Sequence, residues 1–198
     1  MADYLERLPA GLLAERTTSS LLNGHGLDFA GSDLSGLDLL GAELSESTMN
    51  RVLLVEADLY TAWLTRAQLS EADLSGADLR KVQGRGCHAP RAKFRGADMQ
   101  RSDFAQSDFR SADLCGAQLQ RASFSGSDLR DGNLRDCVFG RTRLSGARMA
   151  GCAVDGASGL VIGPVDIGIG SPHLLDGLEL LRWFTSNGAV DVKVGQPA

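Results

Sequence analysis

The chain has 198 residues, enough for one continuous core and a small appendage, and its 20 basic and 25 acidic residues give a formal charge of −5. That balance excludes indiscriminate nucleic-acid binding through a basic surface and suits a partner that is itself basic. No apolar stretch approaches the ~20 residues of a membrane span, and residues 1–20 lack the basic start and apolar run of a secretory signal, so the expected location is the cytoplasm.

Residues 1–26 form the first expected unit. Tyr4, Leu5, Leu8, Leu12 and Leu13 predict a short amphipathic helical cap interrupted at Pro9. Such a cover is needed because the open end of a stacked strand array is an edge.

From 27 to 156 the period is five. Ala72-Asp73-Leu74-Ser75-Gly76, Ala77-Asp78-Leu79-Arg80-Lys81 and Ala97-Asp98-Met99-Gln100-Arg101 define the unit: small, acidic or polar, large apolar, then two polar or glycine residues. We call the large residue the centre and the small one two positions earlier the minor residue. Every fifth residue from 29 to 149 gives 25 centres, 14 of them Leu, six Phe and three Met, so the frame never slips. A five-residue period with two inward positions fits neither a helix nor a flat strand, but it fits a chain that turns a corner every five residues.

This pattern resembles the pentapeptide repeat family, A(D/N)Lxx, over about two thirds of the chain. The resemblance implies an all-β fold: a right-handed quadrilateral parallel β-helix with coils of about 20 residues stacked by backbone hydrogen bonds. At a strand spacing of ~4.8 Å the rod would be ~31 Å long.

Within the frame, Cys87, Cys137 and Cys152 fall on minor positions and are expected to be small buried hydrophobes, while Cys115 points outward. Only Gly84 and Ala89 are small centres. The segment 81–90 is therefore expected to form a bulge or surface loop, with Arg85 and His88 as a secondary candidate site. The Phe104 and Phe109 rings, one coil later, are placed to occupy the missing volume. Leu40, Leu53, Val55, Tyr60 and Trp63 are outward apolar residues expected to lie under residues 1–20.

Residues 157–198 form the third unit. Leu160 to Ile169 is an extended apolar stretch, and Ala189 to Val194 alternates as a short strand. Between them Ser171 and Pro172 predict an N-cap and first helical residue, and Asn187-Gly188 a stop. On that helix Leu174, Leu175, Leu178, Leu181 and Phe184 make one apolar face, with Leu180 and Trp183 on the other side. This layout is similar to the C-terminal module of the Qnr, MfpA and AlbG type of pentapeptide repeat proteins. The similarity implies a capping and dimerisation helix, with Leu174, Leu175, Leu178, Leu181, Trp183 and Phe184 at a homodimer interface. It also implies a function: a DNA-mimicking partner of DNA gyrase, a type II topoisomerase, that protects it from quinolones or albicidin-like compounds.

Outward charges bear on that implication, because faces recur every 20 residues. The face centred on Leu34, Leu54, Leu74, Phe94, Leu114 and Leu134 carries Asp33, Glu56, Asp73, Asp113, Asp136 and Asp155 against Lys93, Arg95 and Arg135, and is the most acidic. It is the expected gyrase-facing stripe. The next face carries Asp38, Asp58, Asp78 and Asp98, offset by five Arg or Lys residues. Duplex DNA of the rod's length carries roughly 18 charges, whereas residues 27–156 carry 16 basic and 18 acidic residues, a net of −2. Shape, more than charge, must carry any imitation of DNA. A competing reading of the aspartates is local: a polar side chain before each centre can bond the backbone at the corner.

The sequence contains no phosphate-binding loop, nucleophile elbow, zinc-protease motif or paired CxxC, and His25, His88 and His173 share no evident site. The expectation is a protein without catalytic residues, metal or cofactor and without direct nucleic-acid contact. A structural or regulatory scaffold for another protein is the alternative.

Overall fold

The computed structural model describes residues 21–195; the helical cap expected over residues 1–20 lies outside them. From Asn23 onward each residue that precedes a centre pairs in parallel with the residue 20 positions later, from Asn23↔Glu43 to Val138↔Ser158. One such rung occurs every five residues, so each coil has four short segments joined by turns. On the segment that runs through Asp28, Thr48, Gln68, His88, Asp108, Asp128, Arg148 and Asp166, the stack is eight levels deep. Seven steps of ~4.8 Å make it ~34 Å long.

The amide groups explain why the unit has five residues. In the unit around Leu79, the Asp78 N–H donates to Ala57 in the coil before, and the Leu79 and Lys81 N–H groups donate to Asp98 and Gln100 in the coil after. The Val82 N–H closes the turn onto the Leu79 carbonyl. Every fifth residue from 26 to 156 has a positive φ, as the third residue of such a turn requires. Fifteen of these are not glycine, so the stack outweighs a cost of ~1 kcal/mol at each. That leaves one amide per unit without a main-chain partner, here Arg80.

The acidic residue of the repeat takes that amide. Oδ1 of Asp28, Asp33, Asp38, Asp58, Asp73, Asp78, Asp98, Asp103, Asp108, Asp113 and Asp128 each accepts from the N–H two residues on, at 2.9–3.3 Å. Where the rung residue cannot reach, the coil before substitutes: Ser35 Oγ accepts from Val55 N–H and Asn50 Oδ1 from Ser70 N–H. The preference for aspartate is thus satisfied by backbone accounting.

Inside, centres and minor residues form one continuous core, nearly all fully buried. Buried polar minor residues return a hydrogen bond to a carbonyl: Ser107 Oγ to Gly84, Thr142 Oγ1 to Leu119, Cys137 Sγ to Leu114 and Cys152 Sγ to Leu129. Burial pushes the Cys87, Cys137 and Cys152 thiols up to about 12, while Cys115 is partly exposed. Labelling with a thiol reagent near pH 8 should modify one cysteine in the native protein and all four in denaturant. More than one fast-reacting thiol in the native state would contradict this packing.

The expected bulge at 81–90 is corrected. The ladder is unbroken there, through Trp63↔Gln83↔Asp103 and Gln68↔His88↔Asp108. The reason is compensation one coil later. The Phe104 ring lies where a Gly84 side chain would begin, and Phe94, Phe104, Phe109 and Phe124 pack with centroids 5.3–6.5 Å apart.

Beyond residue 140 the register tightens, from 20 residues per coil to 19 at Thr142↔Val161 and 18 at Ala147↔Val165. Strand β1 (Thr142–Arg143) pairs with β3 (Ser158–Ile162), which pairs in parallel with β6 (Asp191–Gly195). Strand β2 (Ala147–Arg148) pairs with β4 (Val165–Asp166), and β4 antiparallel with β5 (Leu174–Leu175). Helix α1 (Gly177–Ser186) precedes β6, with Asp176 as its N-cap and Asn187 as its C-cap.

Helix α1 begins later than Ser171-Pro172 predicts. Asp166 Oδ1 accepts from the Gly168 and His173 N–H groups, and Ile167 N–H donates to the His173 carbonyl. These bonds hold the chain in a loop and deliver Leu174–Leu175 to β4 as a strand. The helix faces also divide differently from the expectation, which put Phe184 with Leu178 and opposite Leu180. Leu180 and Phe184 are fully buried, the Phe184 ring lying against Phe139 in the coil at 6.1 Å. Leu178 is 71% exposed.

Candidate protein-interaction surfaces

Among the described residues no group of His, Cys, Asp or Glu could hold a metal ion. The surfaces to weigh are therefore the acidic face, the C-terminal apolar residues and the two residues of the weak repeat.

The acidic residues divide into two kinds. Asp33, Asp73 and Asp113 are rung residues whose carboxylates already hold the corner amides of Ser35, Ser75 and Cys115. Asp73 is further engaged by Lys93 at 3.1 Å, and Asp113 by Arg95 at 2.9 Å and by the Asn133 amide. Glu56 and Asp136 sit instead at left-handed turn positions, and Asp155 at the neighbouring turn position. All three are exposed and make no ion pair among the described residues. The stripe is thus continuous in sequence frame, and its unneutralised charge is concentrated at Glu56, Asp136 and Asp155.

The paired carboxylates set the acid limit of the fold. Hydrogen bonds from Arg80 and Arg110 hold Asp78 and Asp108 below the ordinary value of 3.8. At Asp73, Asp113 and Asp128 partial burial pushes upward, and the bonds from Ser75 with Lys93, from Arg95 and from Arg130 outweigh it. Asp166 is lowered by the His173 and Gly168 amides. Depressed carboxylates stabilise the native state fully above their unfolded value and lose that contribution as pH falls through their native values. The urea midpoint should therefore be flat from about pH 7 to 5 and fall steeply below about pH 4. A midpoint unchanged down to about pH 2 would show that these bonds contribute nothing.

The proposed interface residues separate as well. Leu175 and Phe184 are buried within the chain itself and are removed from any surface offered to a second subunit. Leu174 and Leu178 are exposed, Leu181 and Trp183 half-buried. Two further apolar residues of this module that sequence reasoning did not single out, Ile169 and Val190, are 89% and 67% exposed. Both flank elements whose boundaries the sequence pattern does not mark.

Arg85 and His88 do not form a loop site. Arg85 sits at a corner and His88 on the rung that follows it in a regular coil, Arg85 donating to Gln106 Oε1 at 3.1 Å and His88 Nδ1 lying 3.1 Å from Asp108. At the other end of the rod Leu40, Leu53 and Trp63 are 43–50% exposed and Val55 and Tyr60 half-buried, and the cover expected for them lies outside the described residues.

The family profile of pentapeptide repeats matches eight copies spanning residues 25–62, 62–101, 92–131 and 122–158. No curated protein sequence matches the chain. Among solved structures, a trypsin-treated variant of QnrB1, a plasmid-mediated fluoroquinolone resistance protein, aligns with a TM-score of 0.59 at 18% identity, over 88% of this chain and 90% of that one. HetL, a protein involved in heterocyst differentiation regulation from the cyanobacterium Nostoc sp. strain PCC 7120, aligns at 23% identity over 78% of this chain and 85% of its own, with a TM-score of 0.41. The fold shared with QnrB1 is a right-handed β-helix.

Proposed function

The chain belongs to the pentapeptide repeat family, and we propose that it is a non-enzymatic, DNA-shaped protein that binds a type II topoisomerase, DNA gyrase, and protects it from inhibitors such as quinolones. The observation that carries this reading is the shape. A stack of coils ~34 Å long shares its fold, over nearly the whole of both chains, with a fluoroquinolone resistance protein.

In this reading residues 27–156 form a rod of quadrilateral cross-section that occupies the positively charged DNA-binding saddle of the enzyme. Glu56, Asp136 and Asp155 supply the unneutralised part of the stripe that faces it, with Asp33, Asp73 and Asp113 as its frame. Residues 157–195 cover the C-terminal end. Helix α1 caps the last coil through Leu180 and Phe184, and the apolar surface of Leu174, Leu178, Leu181 and Trp183 pairs two copies in a homodimer. The site of action is the cytoplasm, and no cofactor or direct nucleic-acid contact is required.

Supercoiling by purified gyrase, with and without a fluoroquinolone, tests the proposal. Protection from the drug, or inhibition of supercoiling, is expected at micromolar protein. Asp136→Arg/Asp155→Arg should weaken either effect by about tenfold, as reversed charges at a steered interface do. No effect of the native protein on either reaction would overturn it. One observation favours the other class of function, a scaffold for a different protein: the pairing of Asp73 with Lys93 and Asp113 with Arg95 leaves much of the stripe neutral.

A further inference from the structure

Charged side chains stacked one coil apart repeatedly meet their opposites: Glu46–Arg66, Glu71–Arg91, Asp73–Lys93 and Asp128–Arg148 lie 2.7–3.5 Å apart. One edge of the rod departs from this. Lys81, Arg101, Arg121 and Arg141 occupy the same left-handed turn position in four successive coils, and all four are exposed. None has an ion pair among the described residues. Lys81 donates to the Tyr60 hydroxyl and lies 4.9 Å from its ring; the three arginines make no side-chain hydrogen bond among the described residues.

The neighbouring aspartates also stack in like-charged columns, but each of those carboxylates holds a backbone amide. The arginines hold nothing. Like charges in register on adjacent strands repel, so the edge lowers stability with no return inside the chain. It lies one segment beyond the acidic face around the coil.

We propose that this edge is a docking strip for an acidic helix of a partner protein, one that presents a carboxylate on each turn. The cations advance by ~4.8 Å per coil and the turns of an α-helix by ~5.4 Å. Over the three steps from Lys81 to Arg141 the two differ by roughly 2 Å, within the reach of flexible guanidinium groups. A nucleic-acid strand advances by ~3.4 Å per phosphate and falls out of phase at once.

The test uses the full chain and a fluorescent helix-forming peptide whose glutamates fall at successive turns of one face. The comparison probes are an isomer with the same glutamates scattered around the helix, and a short DNA duplex. In anisotropy titrations near 50 mM salt, where exposed charges are weakly screened, the aligned peptide should bind about tenfold more tightly than its isomer, the sum expected of several exposed ion pairs. Arg101→Glu/Arg121→Glu should remove that preference, and the neutral Arg101→Gln/Arg121→Gln most of it. Arg51→Glu/Arg135→Glu, elsewhere on the rod, should leave it intact. Equal binding of the two peptides, indifference to the Arg101 and Arg121 substitutions, or tighter binding of the duplex through the same residues would each overturn the proposal.

Discussion

Replacing Gly84 with leucine will destabilise the protein by about 3 kcal/mol, although leucine occupies 14 of the 25 central positions. A Cβ built on Gly84 overlaps the Phe104 ring. That ring cannot give way, because it is stacked on Phe124 and meets Phe109 edge-on, with centroids 6.0 and 5.4 Å away. The glycine is thus the counterpart of an oversized residue one coil on, and the pair shares one volume. It follows that Phe104→Leu alone will cost about 1–3 kcal/mol through the cavity it opens over Gly84. The double variant Gly84→Leu/Phe104→Leu recreates the leucine-on-leucine stacking of Leu44 and Leu64 and should recover most of the loss. Urea unfolding of the four proteins closes the cycle. Simple addition of the two single penalties would sink the idea of a shared volume.

That pair also shows what could be read from sequence and what could not. The five-residue frame, its buried cysteines and the compensation of Gly84 by Phe104 all depend on contacts exactly one coil apart, and a fixed period makes such distant contacts visible. The sequence places the Phe104 and Phe109 rings over Gly84 and Ala89 but does not show how fully they fill that volume, so it predicts a bulge at 81–90 where the ladder runs unbroken. The aspartates were ambiguous for a different reason. Asp73 and Asp136 look alike in composition, yet Asp73 is held by a corner amide and Lys93 while Asp136 projects from a turn. Only counting the amides of the unit separates them.

The C-terminal module has no period, so sequence reasoning there depends on local signals. Ser171-Pro172 reads as the helix start, whereas the helix is capped five residues later by Asp176. The choice falls to Asp166, whose carboxylate holds the Gly168 and His173 amides in a loop. Starting the helix at Gly177 leaves Leu180 and Phe184, one turn apart, to face the coil, and it turns Leu178 outward. A pattern of leucines spaced for a longer helix hid this, since Leu174 and Leu175 belong to a strand.

The same geometry separates the two roles proposed for the C-terminal module. Phe184→Ala should cost about 3–5 kcal/mol, because the ring is fully buried against Phe139 and Trp183 and its loss opens the core of the last coil. Its oligomeric state at concentrations where it remains folded should match that of the parent. Leu178→Glu should do the reverse: the side chain is exposed, so stability should change by less than about 0.5 kcal/mol, while a charge placed in the apolar patch with Leu174 and Leu181 should dissociate a homodimer. Thermal unfolding and sedimentation on the two variants read the two roles independently. If Phe184→Ala releases monomers while the unfolding midpoint stays put, α1 faces its partner and not the coil. If Leu178→Glu leaves the mass of a dimer unchanged, the pairing surface lies elsewhere, and the twofold geometry invoked for gyrase binding has to be built from another face of the rod.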